Sequence, residues 1–84
     1  MLAGKNKLGV SLHSRRRMFE FHKRAAERGH VRAMHNLAVL IAEGAAGKPD
    51  YGTAAQWFRS AAEHGVRDSQ YNFAILNARG LGVA

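Results

Sequence analysis

The sequence predicts an all-α protein, a short α-α solenoid of about four antiparallel helices, and three observations support this. The segment RAAERGHVRAMHN at 24–36 returns as SAAEHGVRDSQYN at 60–72, a shift of 36 residues. Apolar residues within each copy recur at helical spacing, and no stretch alternates with the period of two expected of strands. A glycine closes each predicted helix. Periods of roughly 20–50 residues are typical of stacked helical repeats.

The first two helices are predicted at about 15–28 and 31–43, closed by Gly29 and Gly44. A glycine in this position commonly adopts the left-handed conformation that ends a helix. Residues 1–13 are expected to be a poorly ordered basic N-terminus or a degraded repeat end, since LGV at 8–10 resembles GLGV at 80–83.

The third and fourth helices are predicted at about 51–64 and 67–79, closed by Gly65 and Gly80. Asp50 is placed to cap the third helix, because a carboxylate at this position accepts a hydrogen bond from the first turn. Alanine pairs in both copies let helices approach closely, and Trp57 and Phe21 are expected to fill the space beside them. Residues 14–84 would then form two helical repeat units.

The pattern D-x3-A-x2-W-x3-A-A-x2-G, which begins at Asp50, resembles the Sel1-like repeat, a relative of the tetratricopeptide repeat. The second half of the family pattern, G-x3-A-x3-L-G, is met by Gly29, Ala33 and Leu37, but Ala38 and its equivalent Ala74 stand where the family usually has Gly. The resemblance implies a non-catalytic protein-interaction module without a cofactor. The residues that define the repeat in this chain are Ala25, Ala26, Gly29, Leu37, Gly44, Asp50, Ala54, Trp57, Ala61, Ala62, Gly65 and Gly80.

A narrower resemblance is to the Sel1-repeat region of the polar localisation factors of α-proteobacteria. It is carried by AMHNLAVL at 33–40, AAQWFRSAAEHGVRDSQYNFAIL at 54–76 and ARGLGV at 78–83. It implies a scaffold that binds other proteins on the periplasmic side of the inner membrane, of which this chain would be a fragment with a truncated array. The chain shows no signal peptide and no apolar run near the roughly 18 residues of a membrane span. If it is complete, we expect it in the cytoplasm.

The net charge of +7 lies entirely in residues 1–32, which hold nine Lys or Arg against two Glu. Such a basic end attracts nucleic acid, anionic lipid or acidic protein. A binder of nucleic acid or anionic membrane through basic residues 5–32 is therefore the alternative function. No aromatic residues alternate with the basic ones as in single-strand binders.

Metal and catalytic sites are not expected. The chain has no Cys, and its five His show no spacing that would bring two onto one helix face. Ser60, His64 and Asp68 have the residue types of a catalytic triad, but Gly65 interrupts the helix between them. The chain is therefore predicted to be neither a metalloprotein nor an enzyme.

The expected partner is a protein or peptide held on a helical surface, because repeat solenoids present extended faces of this kind. Asn36 and Asn72 are identical between copies, so backbone groups in the turns are an alternative partner for them. Gln70 and Asn77 make the last helix more polar than its equivalent, as is typical of a terminal repeat that caps an array. The alternative expectation is self-association through that uncovered C-terminal helix. The candidate contact residues are Arg32, His35, Asn36, Asp68, Tyr71 and Asn72.

Overall fold

The computed structural model describes residues 12–81, with side chains from residue 14, and this span forms four helices. They are α1 (Leu12–Glu27), α2 (Val31–Ala42), α3 (Tyr51–Glu63) and α4 (Arg67–Ala78). Each helix packs against the next one along the chain, as α1 on α2, α2 on α3 and α3 on α4. Short connections make such neighbours antiparallel. The predicted all-α solenoid is confirmed.

The first helix begins earlier than predicted. Leu12 opens α1, whereas the sequence pattern placed its start at about residue 15. The other ends agree to within one residue, because each predicted last residue is the cap that follows the helix. The expectations for residues 1–11, including the degraded copy at 8–10, and for Gly82 and Val83 lie outside the described residues.

All four helices end in the same hydrogen-bond arrangement. Past each end, a backbone N–H bonds to the carbonyl five residues earlier, as from His30 to Ala25 at 3.1 Å and from Val66 to Ala61 at 3.1 Å. This is the Schellman motif, which needs a left-handed residue just after the helix. The predicted closing glycines fill that position with φ between 67° and 92°, namely Gly29, Gly44, Gly65 and Gly80.

The connection between α2 and α3 is the longest of the three and is held at both ends. A Cβ added at Gly44 would lie 3.1 Å from Pro49 Cδ, so the chain folds back tightly there. Asp50 caps α3 as predicted, because its carboxylate accepts hydrogen bonds from the backbone N–H of Thr53 at 3.0 Å and from the Thr53 hydroxyl at 2.8 Å.

The core is centred on α2, which like α3 has a neighbouring helix on both sides. Leu37 and Ala38 are at most 1% exposed. The small residues of α3 have the role that the sequence predicted, since Ala54 and Ala61 are fully buried and permit close contact with α2. The buried apolar residues are Ala26, Ala33, Met34, Leu37, Ala38, Leu40, Ile41, Ala54, Ala55, Phe58, Ala61, Val66 and Leu76.

Phe21 does not fill the core, contrary to the prediction. Its repeat equivalent Trp57 is partly buried against the core, whereas Phe21 is 69% exposed. The difference follows from neighbours, because α2 precedes and covers α3, while no helix within residues 12–81 precedes α1. The same reasoning applies at the other end, where Gln70, Ala74 and Asn77 of α4 are exposed.

Candidate functional site

The two helices predicted to carry contact residues, α2 and α4, lie side by side and touch. His35 Nδ1 of α2 and Ser69 Oγ of α4 are 2.7 Å apart and form a buried hydrogen bond. The His35 ring also packs edge-on against Phe58 of α3, with ring centroids 5.6 Å apart. This contact fixes the two helices relative to each other, so that their outward sides form one surface.

Equivalent positions of the repeat make up that surface, which we call the α2/α4 face. Residues 32, 36 and 39 of α2 correspond to residues 68, 72 and 75 of α4. Their spacing of four and three residues puts each trio on one side of its helix. The α2/α4 face consists of the exposed or partly exposed residues Arg32, Asn36, Val39, Asp68, Asn72 and Ile75.

A shallow groove of about 410 Å³ runs beside this face where α1 meets α2. Met18 and His22 of α1 form one wall. Within the described residues, His22 Nδ1 is buried and has no hydrogen-bond partner. The α2 wall combines apolar and polar side chains, namely His35, Asn36, Val39 and Leu40. Grooves that combine apolar walls with a few polar groups are typical of binding surfaces.

His35 differs from the other predicted contact residues because it is only 9% exposed. Its main role is structural, since its hydrogen bond joins α2 to α4. Burial lowers the pKa of His35, and the nearby Arg32 lowers it further, while Asp68 opposes this effect. Arg32 and Asp68 are therefore near enough to His35 to act on its charge.

Tyr71 lies at the open edge of the same surface. It is the repeat equivalent of His35, but it is 69% exposed because no further helix lies against α4 within the described span. Arg32 and Asp68 are also exposed, as contact residues must be. Five of the six predicted residues therefore have accessible side chains around one surface.

The alternative role suggested for Asn36 and Asn72 is not observed. Neither side-chain amide makes a hydrogen bond to a turn, or to any other group, within residues 12–81. Their polar groups are therefore available to a partner. The sequence prediction also did not include Val39 and Ile75, which are partly exposed one turn after Asn36 and Asn72. Their recurrence three residues after each Asn was the signal that would have identified them.

The structure offers no arrangement for triad catalysis at Ser60 and His64. The Ser60 hydroxyl points to Met34 Sδ at 3.4 Å, and His64 Nδ1 bonds to the backbone carbonyl of Ser60 at 2.8 Å. No three His, Asp or Glu side chains of the described residues converge as metal ligands would. None of the helices in this part of the chain is long and apolar enough to cross a membrane.

The comparisons with known proteins give one match. The family model described as Sel1 repeat matches residues 19–30 and 31–66, which together are more than half of the chain. The second segment is one complete 36-residue unit that comprises α2 and α3, and the first covers the end of a preceding unit within α1. In this division, α4 opens the next unit. No curated protein and no solved structure matches the chain.

Proposed function

The chain belongs to the Sel1 repeat family, and from this membership we propose that it is a non-catalytic module that binds a peptide or a helix of another protein on the α2/α4 face. Sel1 repeats commonly mediate protein–protein interaction. The observation that carries the proposal is the pairing of α2 with α4 through His35 and Ser69. It aligns two equivalent sets of accessible side chains into one continuous surface.

The chemistry of this surface suits a mixed polar and apolar partner. Val39 and Ile75 offer apolar contact beside Asn36 and Asn72, whose amides both donate and accept hydrogen bonds. Arg32 and Asp68 add one charge of each sign near the start of the two helices. Surfaces of this composition bind through a few apolar contacts while polar groups set the register.

A more specific proposal concerns the biological setting. The resemblance of residues 33–40 and 54–76 to polar localisation factors supports a scaffold role in such an assembly. Self-association is a second part of it, and it is supported by the exposed α4 side formed by Gln70, Ala74 and Asn77. The basic residues of 5–32 support the alternative of nucleic-acid or anionic-membrane binding.

A selection of binders tests the main proposal. A displayed library of helical peptides is panned against the full chain, and selected peptides are measured by fluorescence anisotropy. We expect Asn36→Arg to weaken binding about tenfold, because a bulky cation in the centre of the face blocks close contact. Gln56→Arg is the matched control, since it adds the same charge at an exposed position of α3.

The outcome depends on the difference between these two variants. Binding that falls with Asn36→Arg and stays unchanged with Gln56→Arg supports the α2/α4 face as the binding site. If both variants bind alike, or if no peptide is enriched, the proposal is wrong.

A further inference from the structure

A second surface, on α1, carries a stripe of arginines around one exposed aromatic ring. Arg17, Phe21, Arg24 and Arg28 are separated by four, three and four residues. With about 100° per residue, this spacing places them within roughly 60° around α1 and the turn that follows it. All four are exposed, and Phe21 is the most exposed aromatic residue of the helix. We call this surface the α1 stripe.

No ion pair within residues 14–81 involves the charges of the α1 stripe. Within the described residues the ion pairs are Arg15 with Glu43 and Arg59 with Glu63, and neither involves the stripe. Glu20 lies beside the stripe without forming an ion pair with it. Two hollows of about 320 and 360 Å³ flank the exposed ring, and both are lined by Phe21 and Arg24.

The repeat shows what kind of element fits such a surface. The equivalents of the stripe in α3 are Thr53, Trp57, Ser60 and His64. That side of α3 is partly covered by α2, because the Ser60 hydroxyl contacts Met34 Sδ at 3.4 Å and Trp57 is partly buried against the core, whereas His64 is exposed. The α1 stripe is therefore a helix-accepting surface, with Phe21 where Trp57 lies and arginines where α3 has neutral side chains or His.

From this equivalence and the unpaired charges, we infer that the α1 stripe binds an amphipathic helix that presents carboxylates to Arg17 and Arg24 and an apolar side chain to Phe21. The geometry follows from α2 on α3. Met34 lies against Ser60, the repeat equivalent of Arg24. Seven residues further along α2, Ile41 lies near the start of α3, because its carbonyl accepts a hydrogen bond from the Asp50 N–H at 3.2 Å. Thr53, the equivalent of Arg17, is in the first turn of α3. Carboxylates seven residues apart on the incoming helix would then meet the two arginines, which are also seven residues apart.

Charge complementarity separates this partner from a second copy of the chain. The open side of α4, which would be the stacking partner in an extended array, presents Gln70, Ala74 and Asn77 and no carboxylate. Nucleic acid and anionic vesicles are negatively charged like the proposed helix. Neither has the shape of a helix with an apolar side chain that can pack on Phe21. These two are treated as outcomes of the test.

The experiment uses a designed probe. It is a stapled peptide of the α2 sequence, residues 31–42, carrying Met34→Glu and Ile41→Glu, with the staple on the opposite side of the helix. A second peptide carries Met34→Gln and Ile41→Gln and keeps the shape without the charge. Binding to the full chain is measured by anisotropy. We expect the carboxylate peptide to bind about tenfold more tightly than the amide peptide.

Three variants of the chain test the location of the site. Arg24→Glu is expected to weaken the carboxylate peptide about tenfold, whereas Lys48→Glu, with the same charge change in the exposed α2–α3 connection, leaves binding within about twofold. Phe21→Ala is expected to weaken both peptides, which tests the apolar contact without altering charge. All three positions are exposed, so we expect each variant to keep the wild-type fold. Circular dichroism of each variant checks this.

The outcomes are decisive in both directions. Equal losses for Arg24→Glu and Lys48→Glu would show attraction to net charge alone and would overturn the inference. Tighter binding of duplex DNA or of phosphatidylserine vesicles than of the carboxylate peptide, with loss on Arg24→Glu, would also overturn it. Asn36→Arg, which tests the α2/α4 face, is expected to leave this peptide's affinity unchanged. The proposals for the two surfaces are therefore tested independently.

Discussion

At the scale of single residues, His35 is a polar side chain that is buried in the contact between helices. It is buried between Ser69 of α4 and Phe58 of α3, and its ring nitrogen satisfies the Ser69 hydroxyl. A buried imidazole of this kind resists protonation, because the charged form loses hydration that the protein does not replace. Its pKa is accordingly lowered from the ordinary value of 6.5.

We predict that acidification destabilises the protein through His35. Above about pH 6.5 the ring is neutral in both states and has no effect on stability. As the pH falls below that value, the unfolded chain takes up the proton first, so the free energy of unfolding decreases until the folded-state pKa is passed. Thermal melts at pH 7.5 and 5.5 are expected to show a lower midpoint at the lower pH.

The His35→Gln variant removes the titrating group, and its midpoint should change less between the two pH values. His30→Gln removes an exposed imidazole at the start of α2 and is expected to keep the wild-type dependence. An undiminished pH effect in His35→Gln would show that another group is responsible.

At the scale of helices, α2 and α4 show that similar sequences occupy different environments. Ala38 and Ala74 are equivalent positions, yet Ala38 is fully buried between helices and Ala74 is exposed. The reason is position in the stack, since α2 packs between α1 and α3, whereas α4 packs mainly on α3 and its outer side is open. Burial of a residue type in this fold therefore depends on which helices lie beside it.

Substitution of these two alanines by leucine is predicted to have unequal effects. Ala38→Leu forces three extra carbon atoms into a closely packed contact and should lower the free energy of unfolding by about 1–3 kcal/mol. Ala74→Leu adds the same atoms on an open side and should change it by less than about 0.5 kcal/mol. Urea denaturation of both variants measures the difference, and equal losses would contradict the packing described for α2.

The helices were predictable because their ends are encoded locally. Gly29, Gly65 and the Asp50 cap act within a few residues of chain, so the sequence alone located three helix boundaries to within one residue. Burial was less predictable, because it depends on contacts between distant residues. Phe21 resembles Trp57 in sequence but lacks its cover, and His35 is buried by Ser69, 34 residues away. Among the predicted contact residues, Arg32, Asp68 and Tyr71 are exposed and His35 is buried, and their role in binding stays a prediction.

At the scale of the whole molecule, the stack is short and both of its described ends are uncovered. The Arg-rich α1 stripe lies at one end, and the open side of α4 lies at the other. Solenoid stability is approximately a sum over units and their interfaces, and about three units are needed for a stable array. This span contains three helix–helix interfaces, and only α2 and α3 are packed on both sides.

We therefore predict a marginally stable or self-associating protein. Calorimetry is expected to give a melting midpoint below about 50 °C, or one that rises with protein concentration. Sedimentation at the same concentrations reports whether a rise reflects association. A sharp transition well above about 50 °C that is independent of concentration would contradict this expectation.

The identical helix ends have an evolutionary consequence. Each helix closes on the same arrangement of one glycine and one backbone bond across five residues. A recombination event that inserts or deletes a whole 36-residue unit therefore connects helix ends of the same geometry, and the other connections between helices are unchanged. The number of repeats in such genes can change without a new type of connection between helices, while point mutations diversify each surface separately.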